Sequence, residues 1–196
     1  MKYISLILFG VWVVAELLAA KSYGQETGGA AGLVGAEGLV TAALKQTKQV
    51  VRYDPAYVVL DYPGGDVPAD TGVCSDVVVR AYRALGIDLQ VLVHEDMKAH
   101  FSAYPKLWGL RVTDRNIDHR RVPNLQRFFE RQGAELSEAE VYLPGDLVAW
   151  DLTGNGLWHI GLVVAPDRFV HNIGAGPEES EGIGQWKVVG HYRYPR

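Results

Sequence analysis

Cysteine is nearly absent from this chain: among 196 residues there is one, Cys74. A lone thiol cannot close an intramolecular disulfide, and structural cysteines of oxidising compartments usually come in pairs. Basic charge is also scarce. Nineteen Lys and Arg stand against 23 Asp and Glu, a formal charge of −4, which argues against nucleic acid because that partner calls for a clustered basic face. Beyond residue 24 no stretch is apolar enough to span a bilayer. What remains is a mildly acidic chain whose roughly 170 residues suit one domain with a real core.

Residues 1–24 read as an export segment. Lys2 gives a positive start, residues 3–20 are almost entirely apolar, and small residues follow at Ala19-Ala20 and Ser22-Tyr23-Gly24. Glu16 lies inside the apolar run, and about 18 apolar residues also fit an uncleaved membrane anchor. Either way the functional part is expected on the far side of a membrane, periplasmic or otherwise exported, with membrane contact only if the segment is uncleaved. Removing it takes away Lys2, Lys21 and Glu16 and leaves 17 basic against 22 acidic residues, a charge of −5. Residues 25–36, rich in Gly and Ala, read as a flexible linker. Residues 37–196 read as the functional domain.

Apolar spacing predicts helices over 37–51, 74–85 and 89–104, and Pro123 opens another that Gly133 stops. The helix starting at Cys74 has Val77, Val78, Ala81 and Leu85 on one stripe, with Asp70 or Thr71 available to cap it. Between the first two helices lies loop, with one short strand at 57–60. The last third changes character: 146–152, 159–165, 168–173 and 185–194 are rich in Val, Ile, Leu and aromatics and are separated by Gly- and Pro-containing turns, so they read as strands. Helices first and an antiparallel sheet second is the pattern of an α+β domain.

Cys74 stands where a loop enters a helix, and His159 and His171 stand on predicted strands twelve residues apart, the separation of a hairpin. A cysteine at a helix start followed by strand histidines is the layout of a papain-like thiol hydrolase. The thiolate is the reactive form, and both the helix N-terminus and a neighbouring imidazole favour it. His159 is the candidate base. His171 is the candidate third member that orients its ring, and Asn172 the alternative, since neighbours on a strand face opposite ways. The backbone N–H groups of Ser75 and Cys74 are available to hold an oxyanion.

Pro144-Gly145-Asp146-Leu147-Val148, His159-Ile160-Gly161-Leu162-Val163-Val164, Val170-His171-Asn172 and the Cys74-Ser75-Asp76 block together resemble the catalytic half of NlpC-type cell-wall peptidases. A longer set, including Tyr53-Asp54-Pro55, Asp61-Tyr62-Pro63-Gly64-Gly65, His94-Glu95-Asp96-Met97, residues 116–124 and His171-Asn172-Ile173-Gly174, resembles an exported bacterial family known as domain of unknown function 1287, over roughly residues 40–196. The resemblance implies a papain-like fold, hydrolysis of amide bonds in peptidoglycan stem peptides, no cofactor, and a tyrosine near the oxyanion site. Tyr62 is the candidate for that tyrosine, with Tyr53 and Tyr57 as rivals. Two departures stand out. Val73 replaces the usual Asp before the cysteine, and the helical insert between Leu89 and Gln132 is long.

Arg120 and Arg121 lie in a polar segment, and an arginine fork suits the free carboxylates of stem peptides; with Asp76 beside the thiol, these are the candidates for substrate contact. No metal site is expected, because His94-Glu95-Asp96 with His100 fails the His-Glu-x-x-His spacing. Gly174-Ala175-Gly176 reads as a turn and not a nucleotide loop. The expected activity is therefore that of an exported cysteine amidase or endopeptidase. The alternatives are transfer of the acyl group to an amine and a non-catalytic wall-binding module on a degenerate scaffold.

Overall fold

The computed structural model describes the backbone of residues 27–137 and 139–195 and the side chains of residues 35–137 and 139–195. The export segment expected at residues 1–24 lies outside the described residues. Residues 35–196 make one compact unit.

Among the described residues four helices precede a sheet, so the chain is the α+β domain expected from its sequence. The helices are α1 (Thr27–Gln46), α2 (Cys74–Ala84), α3 (Leu89–Ala99) and α4 (Val122–Arg131). Helix α1 starts ten residues before the expected Glu37, so residues 27–36 are helical where linker was expected. The alanines of that stretch favour a helix despite the glycines beside them. Helix α3 is shorter than expected and gives way to a single 3₁₀ turn at Phe101–Ala103. Two-residue strands β1 (Arg52–Tyr53) and β2 (Thr71–Gly72) pair in parallel just before α2. The strand expected at 57–60 is absent, since Asn116 Oδ1 accepts from the Leu60 N–H at 2.9 Å and replaces a ladder partner.

Five antiparallel strands follow: β3 (Leu147–Asp151), β4 (Trp158–Ala165), β5 (Arg168–Asn172), β6 (Pro177–Glu181) and β7 (Lys187–Tyr192), in the spatial order β6-β5-β4-β3-β7. Strand β6 was not anticipated. Its Pro-Glu-Glu-Ser-Glu sequence carries no apolar alternation, as befits an edge strand exposed to water. Strand β4 is buried along nearly its whole length because both faces are covered. On one face Ile160, Leu162 and Val164 pack with the helices, among them Cys74, Val77, Val78, Ala81 and Tyr82 of α2. On the other face Val148, Trp150, Val163, Phe169 and Ile183 form a second apolar cluster, with Trp186 against it. Gly161 is required by this second layer: a Cβ there would lie 3.1 Å from the Trp150 ring and from the Val170 carbonyl oxygen. The Asp146 carboxylate, from the Pro-Gly-Asp run, ties the end of β7 by accepting from His191 at 2.8 Å and from Arg193 at 2.7 and 2.9 Å.

Helix α2 is held at its start by a buried ion pair. Neither Asp70 nor Thr71 caps it; the N-cap is Val73, whose N–H donates to Asp76 Oδ2 at 2.7 Å. Valine has no side-chain acceptor for the first helical N–H groups; the Asp76 carboxylate satisfies the Val73 N–H instead, and the Asp76 N–H donates to the Val73 carbonyl at 3.1 Å. Arg120 grips the same carboxylate through Nε at 2.9 Å and Nη2 at 3.0 Å. The guanidinium also donates to the Ala56 carbonyl at 3.1 Å and the Asp54 carbonyl at 3.4 Å, while the Ser75 hydroxyl donates to the Arg120 carbonyl at 2.7 Å. Three segments distant in sequence meet at one ion pair. Removing one member strands a buried charge, so Arg120→Ala and Asp76→Ala are each expected to lower unfolding free energy by about 3–5 kcal/mol. Urea denaturation of the two variants checks this, and a loss below about 1 kcal/mol would mean the pair behaves as a surface bridge.

Candidate active site

Cys74 is the first residue of α2 and is 5% exposed. The backbone N–H groups around its sulfur are those of Ile160, Ser75 and Cys74 itself. Ile160 follows His159 on β4, so the helix start is aimed at the beginning of that strand. The ladder between β4 and β5 pairs Leu162 with Val170 and runs away from this end. On its other side this end of β4 stays paired with β3, His159 with Trp150 and Ile160 with Ala149.

His159 and His171 are brought together as the hairpin spacing predicts. His159 Nε2 lies 2.7 Å from His171 Nδ1, and the rings are 3% and 1% exposed. His171 Nε2 continues the chain to Ser180 Oγ at 3.0 Å. The two rings lie among Trp150, Phe169 and Trp186. Because Nε2 of His159 is engaged by His171, Nδ1 is the nitrogen left for the thiol. Among the described residues no hydrogen bond joins the sulfur to the ring; their link is the adjacency of Ile160 to His159. Asn172 points elsewhere, as neighbours on a strand must: its Nδ2 donates to the Gly72 carbonyl at 3.1 Å, and its Oδ1 accepts from the Gly174 N–H. It fastens the end of β5 to the loop before the cysteine.

The charge state differs from the thiolate expected at a helix start. Burial pushes the Cys74 thiol up to about 11, against the lowering effect of the Ile160, Ser75 and Cys74 N–H groups, and Asp76 adds to the rise. Burial likewise holds His159 down to about 3, with His171 adding to it, and holds His171 down to about 4. Desolvation thus outweighs the helix N-terminus. The resting site contains a neutral thiol and two neutral imidazoles.

Three other expected residues fall differently. Tyr62 is not beside the thiol. Its hydroxyl donates to Glu95 Oε1 of α3 at 2.9 Å, and burial together with that carboxylate pushes it up to about 12. The tyrosine at the site is its rival Tyr53, whose β1 position pairs with Gly72, two residues before Cys74. Its hydroxyl is shifted upward by burial and then by Cys74 and Asp76. Tyr57 is bound to Asp114 and Asn116. Arg120 and Asp76, expected to contact substrate, spend their charges on each other in the buried pair. Arg121 does not: its guanidinium lies 4.6 Å from the centre of the Trp108 ring, and its Nη1 has no hydrogen-bond partner. Trp108 is 58% exposed, has a left-handed φ of 55°, and stands edge-on to Trp158, the residue before His159. Tryptophan 108 was not singled out from sequence, since nothing local in Leu107-Trp108-Gly109 signals a site.

Among the described residues no group of three His, Cys, Asp or Glu could hold a metal ion. His94 Nδ1 is instead 3.0 Å from Asp118 Oδ2.

Residues 40–194 match the family model described as domain of unknown function DUF1287, and the chain belongs to that family. The uncharacterized protein YijF of Escherichia coli strain K12 is 49% identical over 167 residues, covering 80% of each chain. Among solved structures, NlpC1 from Trichomonas vaginalis matches with a TM-score of 0.47 at 19% identity, covering 81% of this chain and 44% of that one. An NLP/P60-family protein similar to lipoprotein, from Staphylococcus aureus, matches with a TM-score of 0.43 at 18% identity, covering 81% and 41%. This chain spans less than half the length of either solved structure.

Two measurements follow from the neutral site. Cys74 in the folded protein is expected to react with iodoacetamide more slowly at neutral pH than an exposed thiol of pKa about 8.5, with labelling rising only at higher pH. Mass spectrometry of intact protein across pH reads this; fast labelling below neutrality would contradict it. His159, His171 and the buried His119, which burial holds down to about 4, all titrate lower folded than unfolded. Below the ordinary value near 6.5 the unfolded chain binds more protons, so stability is complete above that pH and falls as pH drops toward about 3. Thermal melts from neutral pH downward should show the loss, on the order of a few kcal/mol, and His171→Asn should flatten the slope.

Proposed function

We propose that this DUF1287 protein is a thiol hydrolase that cleaves amide bonds, in peptidoglycan stem peptides, through a thioester on Cys74. The observation that carries the reading is the sulfur at a helix start against the Ile160 N–H, one residue from an imidazole whose far nitrogen is taken by a second imidazole. That is the arrangement a papain-like nucleophile, base and orienting residue require. Catalytic hydrogen bonds are often long or absent before substrate binds, so the missing sulfur–ring bond is compatible with it.

A neutral thiol sets the order of events. Sγ attacks the amide carbon as its proton passes to Nδ1 of His159, so attack and proton transfer go together. The oxyanion is received by the N–H groups of Cys74 and Ser75, with the Tyr53 hydroxyl beside them. The C–N bond then breaks, the leaving amine takes the proton from His159, and the acyl group stays on sulfur. Water, deprotonated by His159, attacks the thioester, giving a carboxylic acid and restoring the thiol. The tie from His159 Nε2 to His171 keeps the ring oriented through both halves.

Arg121 supports this substrate class. Its guanidinium is stacked on exposed Trp108 and carries a buried Nη1 without a hydrogen-bond partner, a cation that the carboxylate of a peptide lying over Cys74 would satisfy. Arg120 adjoins it in the chain and is joined to Ser75, so this cation is anchored near the nucleophile. A wall peptide places the protein outside the inner membrane, in keeping with the export segment read at residues 1–24.

Mass spectrometry of purified muropeptides tests the reading. Wild type should release a new amine and carboxylate, Cys74→Ala none, and His159→Ala should lower the rate by about 10²-fold or more. Arg121→Ala and Trp108→Ala should raise KM roughly tenfold with kcat within about twofold, the mark of lost uniform binding. Muropeptide binding without any cleavage by wild type would instead support the wall-binding module.

A further inference from the structure

We propose that Glu178, on the edge strand β6, is a positioning residue that sets the tautomer of the His159–His171 pair and so keeps a bare nitrogen of His159 for the thiol. The inference rests on the thiol-hydrolase reading for its purpose, but its first test does not depend on that reading. His159 Nε2 and His171 Nδ1 are 2.7 Å apart, so a single proton lies between them. Two neutral rings can share it in two ways. In one, His159 carries its proton on Nε2 and donates; its Nδ1 is bare, and the proton of His171 sits on Nε2. In the other, His171 donates from Nδ1, His159 accepts at Nε2, and the proton of His159 sits on Nδ1. That second form cannot take the thiol proton.

Nothing within the two rings chooses between these forms. The choice falls at the far end of the chain, on His171 Nε2, which is 3.0 Å from Ser180 Oγ and 3.9 Å from Glu178 Oε1. A hydroxyl donates or accepts, so Ser180 permits both forms. A carboxylate only accepts, and its charge draws a proton to the nearest nitrogen. The β5–β6 register pairs His171 with Glu178, which puts this carboxylate on the face where the rings lie. The other groups around the rings are Trp150, Phe169 and Trp186, which carry no charge, and the Trp150 N–H is already donated to the Ile183 carbonyl at 2.8 Å. Glu179 and Glu181, which alternate to the opposite face, are paired with Arg168. Glu178 is therefore the carboxylate that biases the chain, and it biases it toward the form in which His159 Nδ1 is free. When His159 takes the thiol proton, the same carboxylate, 3.9 Å from His171 Nε2 and beside the hydrogen bond to Ser180, acts as a counter-charge.

Nitrogen-15 NMR of the labelled full chain near neutral pH reads each ring's tautomer directly. Wild type is expected to hold both histidines with the proton on Nε2. Glu178→Gln should give a mixture, because an amide both donates and accepts. Glu178→Lys should turn the pair to the form with His159 protonated on Nδ1. In parallel, the burst of 4-nitrophenolate from 4-nitrophenyl acetate reports acylation of Cys74; it should fall roughly 10- to 100-fold in Glu178→Lys, with the melting temperature held. A wild-type His159 protonated on Nδ1, or a Glu178→Lys variant with wild-type tautomers, overturns the proposal. Tautomers that follow residue 178 with no burst from wild type would uphold the proposal and count against the thiol-hydrolase reading.

Discussion

The contact between Asp76 and Arg120 is the constraint on which the site's geometry depends. The carboxylate fastens the N-terminus of α2 from within the helix by accepting from the Val73 N–H. The guanidinium then binds that helix start to the 54–56 segment just after Tyr53, and to the 3₁₀ turn from which Arg121 extends. Cys74, Tyr53 and Arg121 are thus indexed to one ion pair. Such a pair is costly to desolvate and contributes little net stability over an apolar replacement. Its value here is in register, because no apolar contact would specify three separate backbone segments at once.

Desolvation also decides the chemistry. A helix N-terminus favours an anion, and the N–H groups near Cys74 do act in that direction, but the sulfur is too deeply covered for them to prevail. The histidines are kept neutral by the same cause, lying in an aromatic layer of Trp150, Phe169 and Trp186. A site assembled this way stores no ion pair at rest. On the proposed mechanism the nucleophile would form only as a bound carbonyl carbon receives it, with His159 unprotonated beforehand. The cost is low intrinsic reactivity of the buried thiol.

What could be read from sequence was whatever leaves a short-range mark. The Cys74 helix start, the strands carrying His159 and His171, and their twelve-residue separation all follow from local periodicity and turn residues, and the rings do meet. The alternation of a strand also separates His171 from Asn172, though only coordinates say which one faces His159. The misreadings share a different cause. Arg120 and Asp76 looked like free charges because their partnership spans 44 residues. Tyr62 was preferred to Tyr53 because a Tyr-Pro-Gly-Gly run is conspicuous, whereas the proximity of Tyr53 comes from a two-residue parallel ladder that propensity cannot reveal. Strand β6 was hidden because a polar edge strand lacks the apolar pattern by which strands are recognised.

That hidden strand completes the logic of the sheet. The thiol belongs to the core between helices and sheet, whereas the imidazoles belong to the aromatic layer beyond it. The two environments can meet only at an end of the sheet, where β4 begins before β5 pairs with it. There the Ile160 N–H serves the sulfur, and His159 is one residue away. A ring placed at such an end needs support from the side away from the helix, and β5 supplies it as His171. His171 needs a partner in turn, and the next strand outward is the edge. A polar edge strand is therefore required twice over, to keep the sheet from pairing with another chain and to end the imidazole chain on a hydroxyl and a carboxylate in reach of water.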